Sequence, residues 1–172
     1  TGLAAGSHTF SVYATANGVN DTTPATATWT VDLTAPTVPT GLTATAASNT
    51  SVKTTWKAST DNVAIGGYDL FRDGTLVAGL GNVLTFTDTT VTAGSTHTYA
   101  VRARDTAGNV SALTTAVTVT TPPDTAISSG PATVTNLTGA TFTFTATAPG
   151  RRGRAGRGQP PDLVESHTNF AP

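Results

Sequence analysis

The sequence predicts an all-β chain in which one seven-stranded sandwich stands between two incomplete β-sandwich halves. Three observations carry that expectation. About 40 of the 172 residues are Thr, whose β-branched side chain suits a pleated, half-covered surface. Short runs of alternating apolar and polar residues recur along the chain, separated by turn formers drawn from 17 Gly and 10 Pro. Finally, LAAGSHTFSVYA near the start reappears in closely similar form within VTAGSTHTYAVRARDTAGNVS, from Val91 to Ser111. A unit met twice implies β-domains in series.

The elements follow in order. In HTFSVYATA, Phe10, Val12 and Ala14 share one face, and ATATWTVD resumes alternation with Trp29 and Val31 on one side. These two runs make a hairpin, with both apolar faces expected in a core. LTAPTVPT is a linker, because Pro36 and Pro39 cannot donate to a ladder. Residues 37–121 are long enough for a whole domain. GLTATAA opens it, and SVKTTWKA then points Val52, Thr54 and Trp56 inward. GYDLFRDG turns Tyr68 and Leu70 inward and ends on Asp73-Gly74, a hairpin signal. TLVAG and VLTFTD follow, with Leu76 and Phe86 as expected core contacts. THTYAVRARD alternates Tyr99, Val101 and Ala103 inward against Arg102 and Arg104 outward, and LTTAVTVT closes the set.

Residues 37–121 resemble a bacterial fibronectin type III domain. The resemblance rests on VPTGLTATA, the Trp56 strand, STDNVAIGGYDLFRDGTLVA, TAGSTHTYAVRARDTAGNVS and the closing VTVTTP. It implies a seven-stranded Ig-like sandwich. It also aligns His97 with a Tyr that usually closes the corner before the sixth strand, and Ala93 with a Pro. His97 is therefore expected to bond the upstream backbone less well than Tyr, as a structural variant, so His97→Tyr should stabilise. Residues 1–33 resemble the closing hairpin of a truncated Ig-like repeat, 34–36 are linker, and 122–149 resemble the opening strands of another. The strand Thr141–Thr147 has no evident partner in the sequence. From 150 to 172 Arg and Gly displace the alternation, which reads as a disordered tail and an out-of-frame extension.

Composition narrows function. Residues 1–149 carry eight Asp against five Lys and Arg, a net of −3, so nucleic acid and membrane surfaces are not expected partners. Without Cys there is neither a disulfide nor a thiolate metal site. The three His, at 8, 97 and 167, fall in different repeat units, and no Ser sits in a Gly-x-Ser-x-Gly elbow. No catalytic set and no cofactor are expected. One pair of loops, holding Asp61 with Asn62 and Asp105 with Asn109, offers hard oxygen ligands for Ca²⁺ at one end of the sandwich. The same residues are turn formers, and that reading is preferred, so no metal is expected. Trp56, Tyr68, Leu70, Phe86, His97, Tyr99 and Val101 are assigned structural roles.

The sequence thus predicts a non-catalytic spacer and interaction module of a multidomain exported bacterial protein, extracellular or on the cell surface. Its expected partners are neighbouring domains of the same polypeptide, with a polysaccharide or cell-surface ligand as the external class to test. The parent is a polysaccharide-degrading glycosidase or a repeat-built surface adhesin.

Overall fold

A computed structural model describes residues 2–129 and 143–146. The expected tail at 150–172 and most of 130–149 lie outside the described residues. Every regular element described is a strand, and among the described residues no helix is long and apolar enough to cross a membrane.

The hairpin comes first. β1 (Gly6–Val12) pairs antiparallel with β4 (Ala25–Val31), and β2 (Thr15–Ala16) pairs with β3 (Val19–Asn20) at its tip. Asn17 and Gly18 turn the tip with φ of 52° and 77°, the left-handed pair a two-residue hairpin needs. The register sets His8 opposite Trp29 and Phe10 opposite Ala27, so one face is apolar. That face is not in a core. Phe10 is 59% exposed and Trp29 43%, because among the described residues no second layer lies over it. His8 stacks on Trp29 instead, with ring centroids 5.8 Å apart.

The sandwich uses the next seven strands: β5 (Thr40–Ser48), β6 (Ser51–Lys57), β7 (Ile65–Arg72), β8 (Thr75–Leu80), β9 (Thr85–Asp88), β10 (Thr96–Asp105) and β11 (Val117–Thr120). One sheet has the order β5-β6-β9 and the other β11-β10-β7-β8. Between them lie Val52, Trp56, Tyr68, Leu70, Val91, Tyr99, Val101 and Ala103, all buried, with Leu42, Phe86, Val117 and Val119 packed against them. Strand period decides this list, since Val52, Thr54 and Trp56 on β6 and Tyr99, Val101 and Ala103 on β10 are buried and their neighbours are less so. Tyr68 keeps its hydroxyl satisfied by accepting the Ser59 N–H at 2.9 Å.

Leu76 departs from expectation. The β7–β8 register slips between Leu70 and Phe71, which sets Leu76 beside outward-facing Phe71 and leaves it 51% exposed. A bulge inverts the side-chain alternation of everything beyond it. Val77 and Ala78 reach the core in its place.

The corner before β10 also differs. Thr121 Oγ1 donates to Thr92 O at 2.7 Å and accepts the Ser95 N–H at 3.0 Å, while Ser95 Oγ donates to Thr92 O at 2.6 Å. Two short hydroxyls already hold the upstream carbonyl, so His97 bridges Ser95 Oγ and Asp73 of the β7–β8 turn instead. The stabilisation expected from His97→Tyr therefore loses its basis. In that turn Asp73 and Gly74 have φ of 51° and 79°, and Asp73 Oδ1 accepts the Thr98 N–H at 2.8 Å. Burial pushes the Asp73 carboxyl up, but the Thr98 and His97 hydrogen bonds outweigh it and hold the carboxyl below the usual range. Asp73→Ala is expected to cost about 2 kcal/mol, from the left-handed backbone and the lost acceptor together. Asp73→Asn, which tolerates that backbone and still accepts from Thr98, should cost less than half as much in urea unfolding.

Beyond the sandwich, β12 (Thr125–Ser129) pairs antiparallel with β13 (Thr143–Ala146), so the later strand does have a partner.

Candidate functional site

The chain enters the sandwich beside the β6–β7 and β10–β11 loops, and three carboxylates meet there. Asp105 is the last residue of β10 and continues the inward register of Tyr99, Val101 and Ala103, which delivers its side chain into the open end of the sandwich. Gly66 allows the approach, since a Cβ there would stand 2.6 Å from Asp105 O. Asp61 lies in the β6–β7 loop, and its Oδ2 accepts the N–H groups of Val63 and Ala64 at 2.9 and 3.1 Å. Asp32 follows directly on β4, and its Oδ1 accepts the Thr34 N–H at 3.0 Å. One carboxylate oxygen from each of the three lies within 4.8 Å of the others.

Two asparagines arrange them. Asn62 Nδ2 donates to Asp32 Oδ1 at 3.0 Å, and Asn109 Nδ2 donates to both Asp105 Oδ2 at 2.7 Å and Asp32 O at 3.1 Å. Asp105 Oδ1 accepts the N–H groups of Gly108 and Asn109 at 2.6 and 2.8 Å. Burial pushes the Asp105 carboxyl up, yet the Asn109 side chain and these backbone donors hold it below the usual carboxylate range. Two oxygens stay outside this network. Asp32 Oδ2 and Asp61 Oδ1 are buried and have no hydrogen-bond partner among the described residues. Of the four residues sequence reasoning paired here, Asp61 and Asp105 bring a carboxylate oxygen each within 4.8 Å of the other, while Asn62 and Asn109 act as donors to carboxylates. Asp32 was missed. Its local signal, Asp-x-Thr, says only that it caps its own turn.

A second arrangement has the order of a hydrolytic triad. His97 Nδ1 faces Asp73 Oδ2 at 2.7 Å, and His97 Nε2 faces Ser95 Oγ at 3.0 Å. Acyl transfer also needs an available hydroxyl and N–H donors aimed at a developing oxyanion. Ser95 Oγ donates to Thr92 O, and the Ser95 and Gly94 N–H groups go to Thr121 Oγ1 and Pro122 O. The donors beside the hydroxyl are spent on the corner, so the relay ties β10 to the β7–β8 turn.

Elsewhere the surface is plain. On the outer face of the four-stranded sheet Arg102 and Arg104 flank buried Asp69, at 3.0 and 2.8 Å, and the Arg102 guanidinium lies 5.3 Å from the Phe71 ring centroid. An open groove between β5 and β11 is walled by Val38, Pro39, Leu42, Leu113 and Val117 and presents no charged group.

No family model matches the chain. Over 108 residues it is 50% identical to Exoglucanase B of Cellulomonas fimi, covering 61% of this chain and 10% of that protein. It is 45% identical over 92 residues to Chitinase Chi52 of Paenibacillus xylanexedens, covering 54% of this chain and 17% of that one. With Chitinase D of Niallia circulans the identity is 49% over 81 residues, covering 47% and 15%. The chain therefore spans about a tenth to a sixth of the length of these relatives. Among solved structures, the FN1–FN3 domains of chicken CNTN1 superpose with a TM-score of 0.52 at 13% identity, over 70% of this chain and 44% of that one. That likeness concerns fold alone, and it agrees with the three-plus-four strand order and the buried Trp56, Tyr68 and Tyr99 between the sheets. The central sandwich of this chain has the fold of a fibronectin type III domain.

Proposed function

We infer that the chain is a non-catalytic spacing module of an exported, multidomain bacterial protein, and that the parent is a glycosidase acting on an insoluble polysaccharide. The observation that carries the spacing role is the position of the two flanking segments. The incoming chain is held at one end of the sandwich, where Asn62 and Asn109 bond Asp32 and Thr37 N–H donates to Thr60 O at 2.9 Å. The outgoing chain leaves from the other end, beside the β5–β6 turn, where Asn49 Nδ2 donates to Asp124 Oδ1 at 3.3 Å. The nine residues of β5 separate those ends by on the order of 30 Å. Such a module fixes both distance and direction between its neighbours, the domains before and after it being its partners.

A repeat-built adhesin is the other parent that flanking half-repeats allow. The relatives are exoglucanases and chitinases, which favours the glycosidase. The whole chain, incubated with microcrystalline cellulose and with insoluble chitin, is expected to stay in the supernatant. Retention on either solid, reversed by the soluble oligosaccharide, would replace spacing with carbohydrate binding.

A further inference from the structure

We propose that Asp32, Asp61 and Asp105 form a calcium site that fastens the incoming chain to the sandwich. Three carboxylates that share one small volume repel one another, and the described residues bring no Lys or Arg into an ion pair with any of them. Hydrogen bonds relieve only part of this. They occupy Asp32 Oδ1, Asp61 Oδ2 and both oxygens of Asp105, and leave Asp32 Oδ2 and Asp61 Oδ1 buried without a donor. Asp32 as a whole is 8% exposed, so water does not take the donor's place. A buried carboxylate oxygen without a partner is costly, and two such oxygens beside a third carboxylate make a set that a bound cation would complete.

The chemistry of the donors selects the ion. All three are hard carboxylate oxygens, with no His in the cluster and no Cys in the chain, which excludes a preference for zinc or copper. Oxygens bound to one Ca²⁺ at about 2.3–2.6 Å stand at most about 5 Å apart, and the three found here lie within 4.8 Å. Ca²⁺ accepts an irregular set of six to eight oxygens, whereas Mg²⁺ demands a near-octahedral set and keeps its waters. The Asn62 and Asn109 amides then fill the role of outer donors that hold ligating carboxylates in place. The three ligands come from the end of the hairpin and two loops of the sandwich, so the ion joins segments 29 and 73 residues apart in sequence from Asp32 (61 − 32 and 105 − 32). Turn chemistry alone, the reading preferred from sequence, accounts for the bonded oxygens and leaves the two buried, unbonded ones unexplained.

Calorimetric titration and thermal unfolding of the whole chain test this, each in chelator, in Ca²⁺ and in Mg²⁺. One Ca²⁺ per chain is expected. At a hundredfold excess over Kd the Tm should rise by on the order of 10 °C, and less in the same concentration of Mg²⁺. Asp61→Asn and Asp32→Asn, each placing an amide where an unbonded oxygen stands, should lose the calcium response yet melt no lower than the parent chain in chelator. Absence of both heat and shift, a shift that survives in both variants, or an equal response to Mg²⁺ would overturn the assignment. The spacing role is tested separately by the polysaccharide assay and stands or falls there.

Discussion

Replacing Asp88 with alanine is expected to cost about 3 kcal/mol, or roughly 15 °C in Tm for a domain of this size. Asp88 ends β9 with 3% exposure and collects four donors. Arg72 reaches it at 2.7 Å, the Tyr99 hydroxyl at 2.8 Å, and Thr90 through N–H at 2.9 Å and Oγ1 at 2.7 Å. Truncation strands a fully buried phenol and a guanidinium held against it. Arg72 keeps about a fifth of its side-chain exposure, which places the loss at the lower end of what breaking a buried pair costs. Asp88→Asn should lose roughly half as much, because it still accepts from Thr90 but turns an N–H toward one of the other donors.

The same residue fixes a pH response. Burial pushes the Asp88 carboxyl up, and bonds from Thr90 and Tyr99 with the Arg72 charge outweigh that, holding it below 3.8. A carboxyl depressed on folding stabilises above its unfolded value and loses that contribution as pH falls from 3.8 through the folded value. Asp73 and Asp105 shift in the same direction. Stability should therefore decline below pH 3.8, less steeply in Asp88→Asn. Tyr99 acts at the other end. Burial and Asp88 raise its phenol above 10.0, so its contribution is complete below that pH and fades as the solution becomes more alkaline.

Trp56→Ala is expected to cost about 3–5 kcal/mol, the range for emptying a large buried aromatic. Trp56 belongs to the buried core with its ring 5.6 Å from that of Tyr68, tilted by 59°. Its indole Nε1 is buried without a partner among the described residues. That asymmetry gives the sharper test. Trp56→Phe removes the unpaired donor along with part of the ring, so it should cost under about 1.5 kcal/mol in guanidinium unfolding followed by circular dichroism. Equal losses for Ala and Phe would mean that the N–H carries a hydrogen bond.

Strand period made the sandwich legible. Val52 and Trp56, Tyr68 and Leu70, and Tyr99, Val101 and Ala103 are alternate residues on three strands, and the structure buries each. Leu76 was misplaced because a one-residue bulge leaves no trace in composition but reverses every position after it. Phe10 and Trp29 were assigned to a core because alternation reports that a face is apolar and says nothing about what covers it. His97 was given the corner by analogy with a Tyr, while Thr121, a residue at the domain's edge, does the closing. The carboxylate cluster was half visible. Asp61 and Asp105 belong to loops that the fold brings to one end, but Asp32 joins them through a path that bends around a linker, which no local pattern encodes.

The placement of the two flanking segments at opposite ends also decides how the domain bears load. A pull on its neighbours runs along β5 and β11, parallel to the strands and at right angles to the ladder hydrogen bonds that β5 makes with β6 and β11 with β10. Those bonds are then sheared together instead of being opened one at a time from an end. Under tension the domain is expected to yield late and abruptly.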